Sequence, residues 1–336
     1  MTKKPDVIVT EVALRDGSHA VAHQYTIEQV VAVTEALNEA KVPYIEVTHG
    51  DGLGGSSLQF GMSKVRDIDL IKAAADVADY SKISVLLLPG VGTVQDLKEA
   101  VEAGAKMVRV ATHVTEADVS REHIQVGKKL GLEVVGFLMM AHMASPEVIV
   151  EQAKLMESYG ADVVYVTDSA GAMVPDQVRE RVTALKENLS IPIGFHAHNN
   201  LGLAVGNSLV AIEAGATYID GSIRALGGGA GNTQTEVLIA VLEKMGIETG
   251  VDLYKIMDTA EDIVAPLLPK PQEITRDSLT LGYAGVYSAF LLHAQRAARQ
   301  FNLESRDILI KLGEIGVVGG QEDMIYDMAA KMANEK

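Results

Sequence analysis

Two short motifs, Leu14-Arg15-Asp16-Gly17-Ser18-His19 and His196-Ala197-His198-Asn199-Asn200, hold the residues best suited to chemistry. Each follows an apolar, β-rich run. Side chains two apart on a strand point the same way, so His196 and His198 share a face. Two imidazoles on one face, with the Asp16 carboxylate at the end of another strand, can hold a divalent cation and leave positions open for substrate. Mixed nitrogen and oxygen donors suit an octahedral Mn2+, Mg2+ or Co2+, and three such donors do not exclude Zn2+. The motifs therefore predict a metal-dependent enzyme. The plainer reading of each residue is a loop cap held by hydrogen bonds.

Neighbouring residues extend the pattern. Arg15 can neutralise a carboxylate or a developing enolate, and it can also form a salt bridge to Glu46 across a shared mouth. Glu46 reads as structural, a partner of Arg15 or of a ligand. His19 suits a general base, because its ordinary pKa is near neutral; otherwise it is a surface-loop histidine. The glycine run Leu226-Gly227-Gly228-Gly229-Ala230-Gly231-Asn232 can cradle a phosphate or simply permit close packing. No P-loop Lys follows it, and Asn232 is an outer-shell or substrate contact. His49, His113 and His142 also end apolar runs, as rival ligands or as rim hydrogen-bonders. The Met139-Met140 pair reads as core.

Strand ends far apart in sequence must be gathered by a fold. Apolar β-runs at Val7–Leu14, Tyr44–Thr48, Ile83–Leu88, Met107–Ala111, Glu133–Met140, Asp162–Thr167, Ile193–Phe195 and Tyr218–Ile223 alternate with helical spacing. The helices run Ile27–Glu39 with Thr26 as N-cap, Asp69–Tyr80, Val94–Ala103, Ala117–Leu130, Pro146–Tyr159, Pro175–Asn188, Leu201–Ala214 and Thr235–Met245. Gly104-Ala105, Gly160-Ala161 and Gly215-Ala216 read as helix ends feeding strands. Eight such units predict an α/β fold, a (β/α)8 TIM barrel, with a doubly wound sheet as the alternative. Pro266, Pro269 and Pro271 punctuate its end. Beyond them Leu281–Asn302 and Arg306–Asn334 are helical only. The expected division is residues 1–262 as barrel and 263–336 as an α-helical C-terminal extension. Chemistry in such barrels sits at the C-terminal ends of the strands, where Asp16, Glu46, His196 and His198 fall.

Composition narrows the class. A chain of 336 residues with 48% hydrophobic and 22% charged residues can bury a full core. A net charge of −16, with no long basic run to offset it, argues against nucleic acid. No apolar run approaches the ~20 residues of a membrane span, and no signal core follows the short polar start. Absence of Cys excludes disulfides, thiolate nucleophiles and Cys-ligated zinc. A cytoplasmic enzyme is the expectation.

With these residues in hand, the chain resembles the metal-dependent barrel lyases and synthases. That superfamily includes isopropylmalate and homocitrate synthases, hydroxymethylglutaryl-CoA lyase and 4-hydroxy-2-oxovalerate aldolase. Leu14-Arg15-Asp16-Gly17, Glu46 and the His196–Asn200 run carry the superfamily likeness. Four stretches carry the likeness to the aldolase family: Ile45–Ser57, Ala111–Asp118, Gly282–Tyr287 and Val318–Met324. The synthases carry a Gln-type residue near the place of His19 and often add a regulatory domain. The CoA lyase uses a catalytic Cys, which this chain lacks.

What the resemblance implies is retro-aldol cleavage of 4-hydroxy-2-oxopentanoate to pyruvate and acetaldehyde with Mn2+, in the catabolism of aromatic compounds. The substrate's 2-oxo and carboxylate oxygens chelate the metal on Asp16, His196 and His198. His19 takes the C4 hydroxyl proton, Arg15 faces the enolate, and Tyr287 reaches the hydroxyl from the helical extension. Leu86 and Leu88 shape the aldehyde pocket, and Ser169 contacts the pyruvyl end. The family also implies an acylating acetaldehyde dehydrogenase partner that receives the aldehyde through a channel, with the C-terminal helices at the interface. An acyl-CoA-using Claisen synthase and a non-catalytic barrel are the rival readings.

Overall fold

The computed structural model describes residues 5–335. Eight parallel strands close into a barrel in sequence order. They are β1 (Ile8–Glu11), β2 (Tyr44–Glu46), β3 (Lys82–Leu87), β4 (Met107–His113), β5 (Glu133–Met139), β6 (Val163–Asp168), β7 (Ile193–Ala197) and β8 (Tyr218–Gly221). β1 pairs with both β2 and β8, which closes the ring. The helices α1 (Ile27–Glu39), α2 (Asp67–Val77), α3 (Val94–Glu102), α4 (Arg121–Lys129), α5 (Pro146–Tyr159), α6 (Pro175–Asn188), α7 (Ala204–Glu213) and α8 (Thr235–Lys244) each follow one strand. The expected (β/α)8 barrel is what forms, and the doubly wound alternative is excluded.

Local chemistry explains the punctuation. Thr26 caps α1 in a reciprocal capping box with Gln29. Gly104, Gly160 and Gly215 hold φ of 115°, 108° and 113°, the left-handed backbone that ends a helix before the next strand.

The period-2 alternation of the strands decides what faces the site. Val108 and Val110 of β4, Phe195 of β7 and Ile219 of β8 join the apolar layer between sheet and helices. Their neighbours Tyr44, Met107, Phe137 and Tyr165 fill the barrel interior. A side chain at Gly194 would place a Cβ 2.2 Å from the Tyr165 ring, so this position leaves Tyr165 its room.

Beyond α9 (Leu253–Asp258), four helices form the extension: α10 (Arg276–Ala284), α11 (Phe290–Phe301), α12 (Ser305–Ile315) and α13 (Asp323–Asn334). They enclose a core of their own around Leu281, Phe290, Ile308, Leu312 and Ile325. Two expected helices are therefore each broken in two. The Leu281–Asn302 run stops at Gly285, whose φ of 68° ends α10. The Arg306–Asn334 run stops at Gly316, also at φ 68°. Some strands stop earlier than expected, as β1, β2 and β8 do, whereas β4 and β7 run two residues further. β1 stops at Glu11 rather than Leu14, because the Glu11 carboxylate accepts from the backbone N–H groups of Ala13 and Ile223 and turns the chain.

Candidate metal and active site

Asp16 opens a short 3-10 turn, Asp16–Val21, directly after β1. His196 lies on β7 and His198 just beyond it. Their donor atoms lie within 4.8 Å of one another, and all three residues are buried. Asp16 Oδ2 is 3.4 Å from His196 Nε2 and 3.4 Å from His198 Nε2. The opposite ring nitrogens are occupied. His196 Nδ1 donates to Asp220 Oδ2 at 2.7 Å, and His198 Nδ1 donates to the Gly228 carbonyl at 3.2 Å. That fixes both tautomers with Nε2 lone pairs turned to Asp16, as metal-ligating imidazoles require. Burial alone would raise the Asp16 pKa, but the Arg15 guanidinium beside it holds its carboxyl well below the usual range. An ionised carboxylate and two Nε2 donors with supported far sides fit a divalent cation.

Arg15 is held on three sides. Its Nε donates to Glu46 Oε2 at 2.7 Å, and its Nη1 sits 3.0 Å from Asp16 Oδ2 and 3.5 Å from the Gly50 carbonyl. Its Nη2 is buried and has no protein partner. Burial opposes the charge, yet Glu46 and Asp16 raise the guanidinium's pKa on balance. The expected Arg15–Glu46 pair is present in the structure.

His19 lies on the same turn as Asp16, with its ring over Gly50. A Cβ at Gly50 would fall 2.4 Å from His19 Nε2. Burial pushes the imidazole down to about 4, so it is neutral at physiological pH. Asp51 Oδ2 lies 4.0 Å from His19 Nε2, and burial with the nearby Glu322 pushes that carboxyl up to about 7.

Tyr287 falls in the break between α10 and α11, which brings it out of helix and over the barrel. It lines a cavity of about 200 Å³ with Asp51, Leu88, Met139, Gly319 and Glu322. Burial, then Asp51 and Asp16, push its phenol well above the ordinary value. Ser169, next after β6, receives the Ser288 N–H and hydroxyl on its carbonyl at 3.1 and 2.7 Å. Its own hydroxyl accepts from Met140 N–H at 3.0 Å. Leu88 lines the cavity, whereas Leu86 packs within the barrel interior beside Phe137 and Tyr165. Asn232 donates to the Leu226 carbonyl at 3.1 Å and leaves its buried Oδ1 unpartnered.

His49, His113 and His142 hydrogen-bond to nearby loops. His49 Nε2 lies 3.1 Å from the Gly61 carbonyl and its ring stacks on His23. His142 Nε2 lies 3.0 Å from the Gly285 carbonyl, at the end of α10. His113 Nδ1 meets Thr115 Oγ1 at 2.9 Å.

Sequence reasoning missed Arg109 and Asp220. Arg109 is fully buried in the barrel interior and pairs with Glu46 at 3.2 Å and Asp220 at 2.5 Å. The available signal was a charged residue inside an apolar strand, Met107-Val108-Arg109-Val110. A buried arginine implies buried carboxylates.

Comparison with known proteins adds to this geometry. The model of the HMGL-like family matches residues 6–263, and that of the DmpG-like communication domain matches 272–334. The 4-hydroxy-2-oxovalerate aldolase of Geobacillus stearothermophilus is 67% identical, spanning 100% of this chain and 98% of that protein. The protein of that name from Carboxydothermus hydrogenoformans is 59% identical over 99% of this chain and 98% of its own. Among solved structures, the carboxyl transferase domain of Rhizobium etli pyruvate carboxylase, solved with pyruvate and biocytin, superposes with a TM-score of 0.83 at 17% identity. It spans 99% of this chain and 61% of that one. The Bacillus subtilis HMG-CoA lyase gives 0.69 at 23% identity, over 80% of this chain and 97% of its own. At those identities the structures share the fold. No helix among the described residues is long and apolar enough to cross a membrane.

Proposed function

The chain belongs to the 4-hydroxy-2-oxovalerate aldolases, and on that premise we propose how its residues cleave 4-hydroxy-2-oxopentanoate to pyruvate and acetaldehyde. Asp16, His196 and His198 hold a divalent cation, Mn2+ in this reading, with Mg2+ and Co2+ suited to the same donors. When bound, it supplies Lewis-acid stabilisation of the negative charge that develops on the substrate. The carrying observation is one pair of facts: three buried donors converge, and Arg15 Nη2 beside them has no protein partner.

Arg15 is fixed through Glu46, and its free Nη2 receives the substrate's anionic end. His19, neutral because burial depresses it, takes the C4 hydroxyl proton. The C3–C4 bond breaks, acetaldehyde leaves, and the electron pair stays on the pyruvate fragment as an enolate facing Arg15. A proton taken up at C3 then gives pyruvate. The Tyr287 phenol stays protonated and donates to the substrate hydroxyl. Ser169 serves the pyruvyl end. Leu88, just past the end of β3, faces the aldehyde's methyl group, and Leu86, two residues earlier on β3, backs it. Glu46 and Asn232 support the groups in contact with substrate.

Residues 1–262 are the catalytic unit and 263–336 the partner-facing one in this reading. The match to a communication domain supports an acylating acetaldehyde dehydrogenase as partner, taking the aldehyde through a channel. The setting is the cytoplasm, in meta-cleavage catabolism of aromatic compounds.

The test is product stoichiometry. Incubation with 4-hydroxy-2-oxopentanoate should release pyruvate and acetaldehyde in equal amounts. Release of CoA from acetyl-CoA and a 2-oxo acid, with no pyruvate formed from the hydroxy acid, would overturn the reading in favour of a Claisen synthase.

A further inference from the structure

We infer that Arg109 is a positioning residue for the reaction. One guanidinium inside the barrel fixes both Arg15 and His196, through Glu46 and Asp220. The inference rests on the reading above, in which Arg15 faces substrate and His196 faces metal.

The geometry is a closed ring of charged side chains. Glu46 Oε2 receives Arg15 Nε at 2.7 Å and Arg109 Nη1 at 3.2 Å. Asp220 Oδ2 receives Arg109 Nη2 at 2.5 Å and His196 Nδ1 at 2.7 Å. The ring closes through Asp16 Oδ2, which lies 3.0 Å from Arg15 Nη1 and 3.4 Å from His196 Nε2. The Glu46 and Asp220 oxygens are each shared by two donors, so neither Arg15 nor His196 can turn without disturbing Arg109.

Arg109 itself has little freedom. It is 0% exposed, and its guanidinium lies 4.4 Å from the Phe137 ring centroid and 4.6 Å from that of Tyr165. Two aromatic faces fix the guanidinium plane. Its planar fork can serve two carboxylates in two directions at once, which the point charge of a Lys cannot reproduce. Strand alternation explains how the members meet, because Glu46, Arg109, His196 and Asp220 all occupy inward positions of their strands.

The charges suit an ordered assembly. With His196 neutral, as a metal-ligating imidazole must be, three carboxylates of the ring face two guanidiniums, and the one negative charge left over suits a cation. A bound divalent ion reverses the sign, and a monoanionic oxo acid then balances it.

The experiment uses the purified full chain and three variants, Arg109→Lys, Asp220→Asn and Glu46→Gln. Mn2+ affinity is read from the electron paramagnetic resonance signal of free Mn2+. The KM for 4-hydroxy-2-oxopentanoate is measured at saturating Mn2+, and melting of the metal-free protein reports folding. Asp220→Asn should weaken Mn2+ binding by roughly 10- to 100-fold, the usual effect of losing a carboxylate behind a ligating imidazole. Glu46→Gln should raise KM and leave Mn2+ affinity within a few-fold of native. Arg109→Lys should do both. An Arg109→Lys protein with a lowered melting temperature but native Mn2+ affinity and KM would overturn the inference. If that variant does not fold, the other two decide: the split supports the inference, and native values or identical effects in both overturn it. A native chain that binds no Mn2+ would overturn the metal reading and this inference with it.

Discussion

The Ser288 hydroxyl donates to the Ser169 carbonyl at 2.7 Å, and this bond ties the helical extension to the loop after β6, one residue from Tyr287. The same hydroxyl accepts from Asn200 Nδ2 at 2.8 Å, within the Asn pair that follows His198. Tyr287 is therefore placed by its neighbour's attachment to the barrel as well as by the core of its own helices. Ser288→Ala removes both bonds, although Asn200 Nδ2 keeps the Ala170 carbonyl. The expected loss is about 1–3 kcal/mol of stability, from neutral bonds lost in a buried site. Urea denaturation measures it, and turnover should fall along with it as Tyr287 loosens.

His19→Ala should separate binding from chemistry. Turnover is expected to fall by roughly 10²–10⁴, the usual worth of a positioned general base. Mn2+ affinity should stay native, because His19 is not among the three converging donors. Loss of Mn2+ binding in this variant would place His19 on the metal instead.

Gly50→Ala tests the same base from the other side. An added Cβ would sit 2.4 Å from His19 Nε2, closer than the two atoms can approach. The ring must move off its position. The variant should retain Mn2+ and lose turnover to an extent approaching His19→Ala. Native turnover would show that the position of the ring above Gly50 does not matter.

Acid should weaken the fold near the site. Burial, the leading cause in all three, lowers His19 to about 4, His23 to about 2 and His49 to about 4, from an ordinary 6.5. Below pH 6.5 the unfolded chain takes up these protons while the folded chain does not. The stability these three histidines contribute therefore rises with pH across this window and is lost as pH drops from 6.5 toward 4, while Glu11 and Asp51, raised by burial to about 8 and about 7, act in the opposite direction. The urea midpoint of the metal-free protein at pH 7 and pH 5 reads the sum, in which the histidines' share is a fall. His49→Asn should make that fall shallower, and an unchanged slope would dismiss His49 as a contributor.

The architecture was readable because the strands are short apolar, β-branched runs and several helices begin or end in recognisable chemistry, such as Thr26 at one start and Gly160 at one end. His196 and His198 were readable as a pair, since two residues apart at the end of β7 is a local relationship. Arg109 and Asp220 were not. Each is a single charge on its own strand, β4 or β8, and only barrel closure sets them 2.5 Å apart. The break after α10 escaped notice for a related reason. Gly285 stands between residues that continue a helical apolar stripe, and its left-handed backbone is decided by packing beneath His142. The position of Tyr287 depends on that break.

The most direct measurement is pyruvate release from 4-hydroxy-2-oxopentanoate by EDTA-treated protein, before and after Mn2+ is restored, in the native chain and in Asp16→Asn. No pyruvate is expected after EDTA, with recovery on Mn2+ addition in the native chain and little recovery in Asp16→Asn at the same Mn2+ concentration. Pyruvate release that survives EDTA, or full recovery in Asp16→Asn, would contradict it.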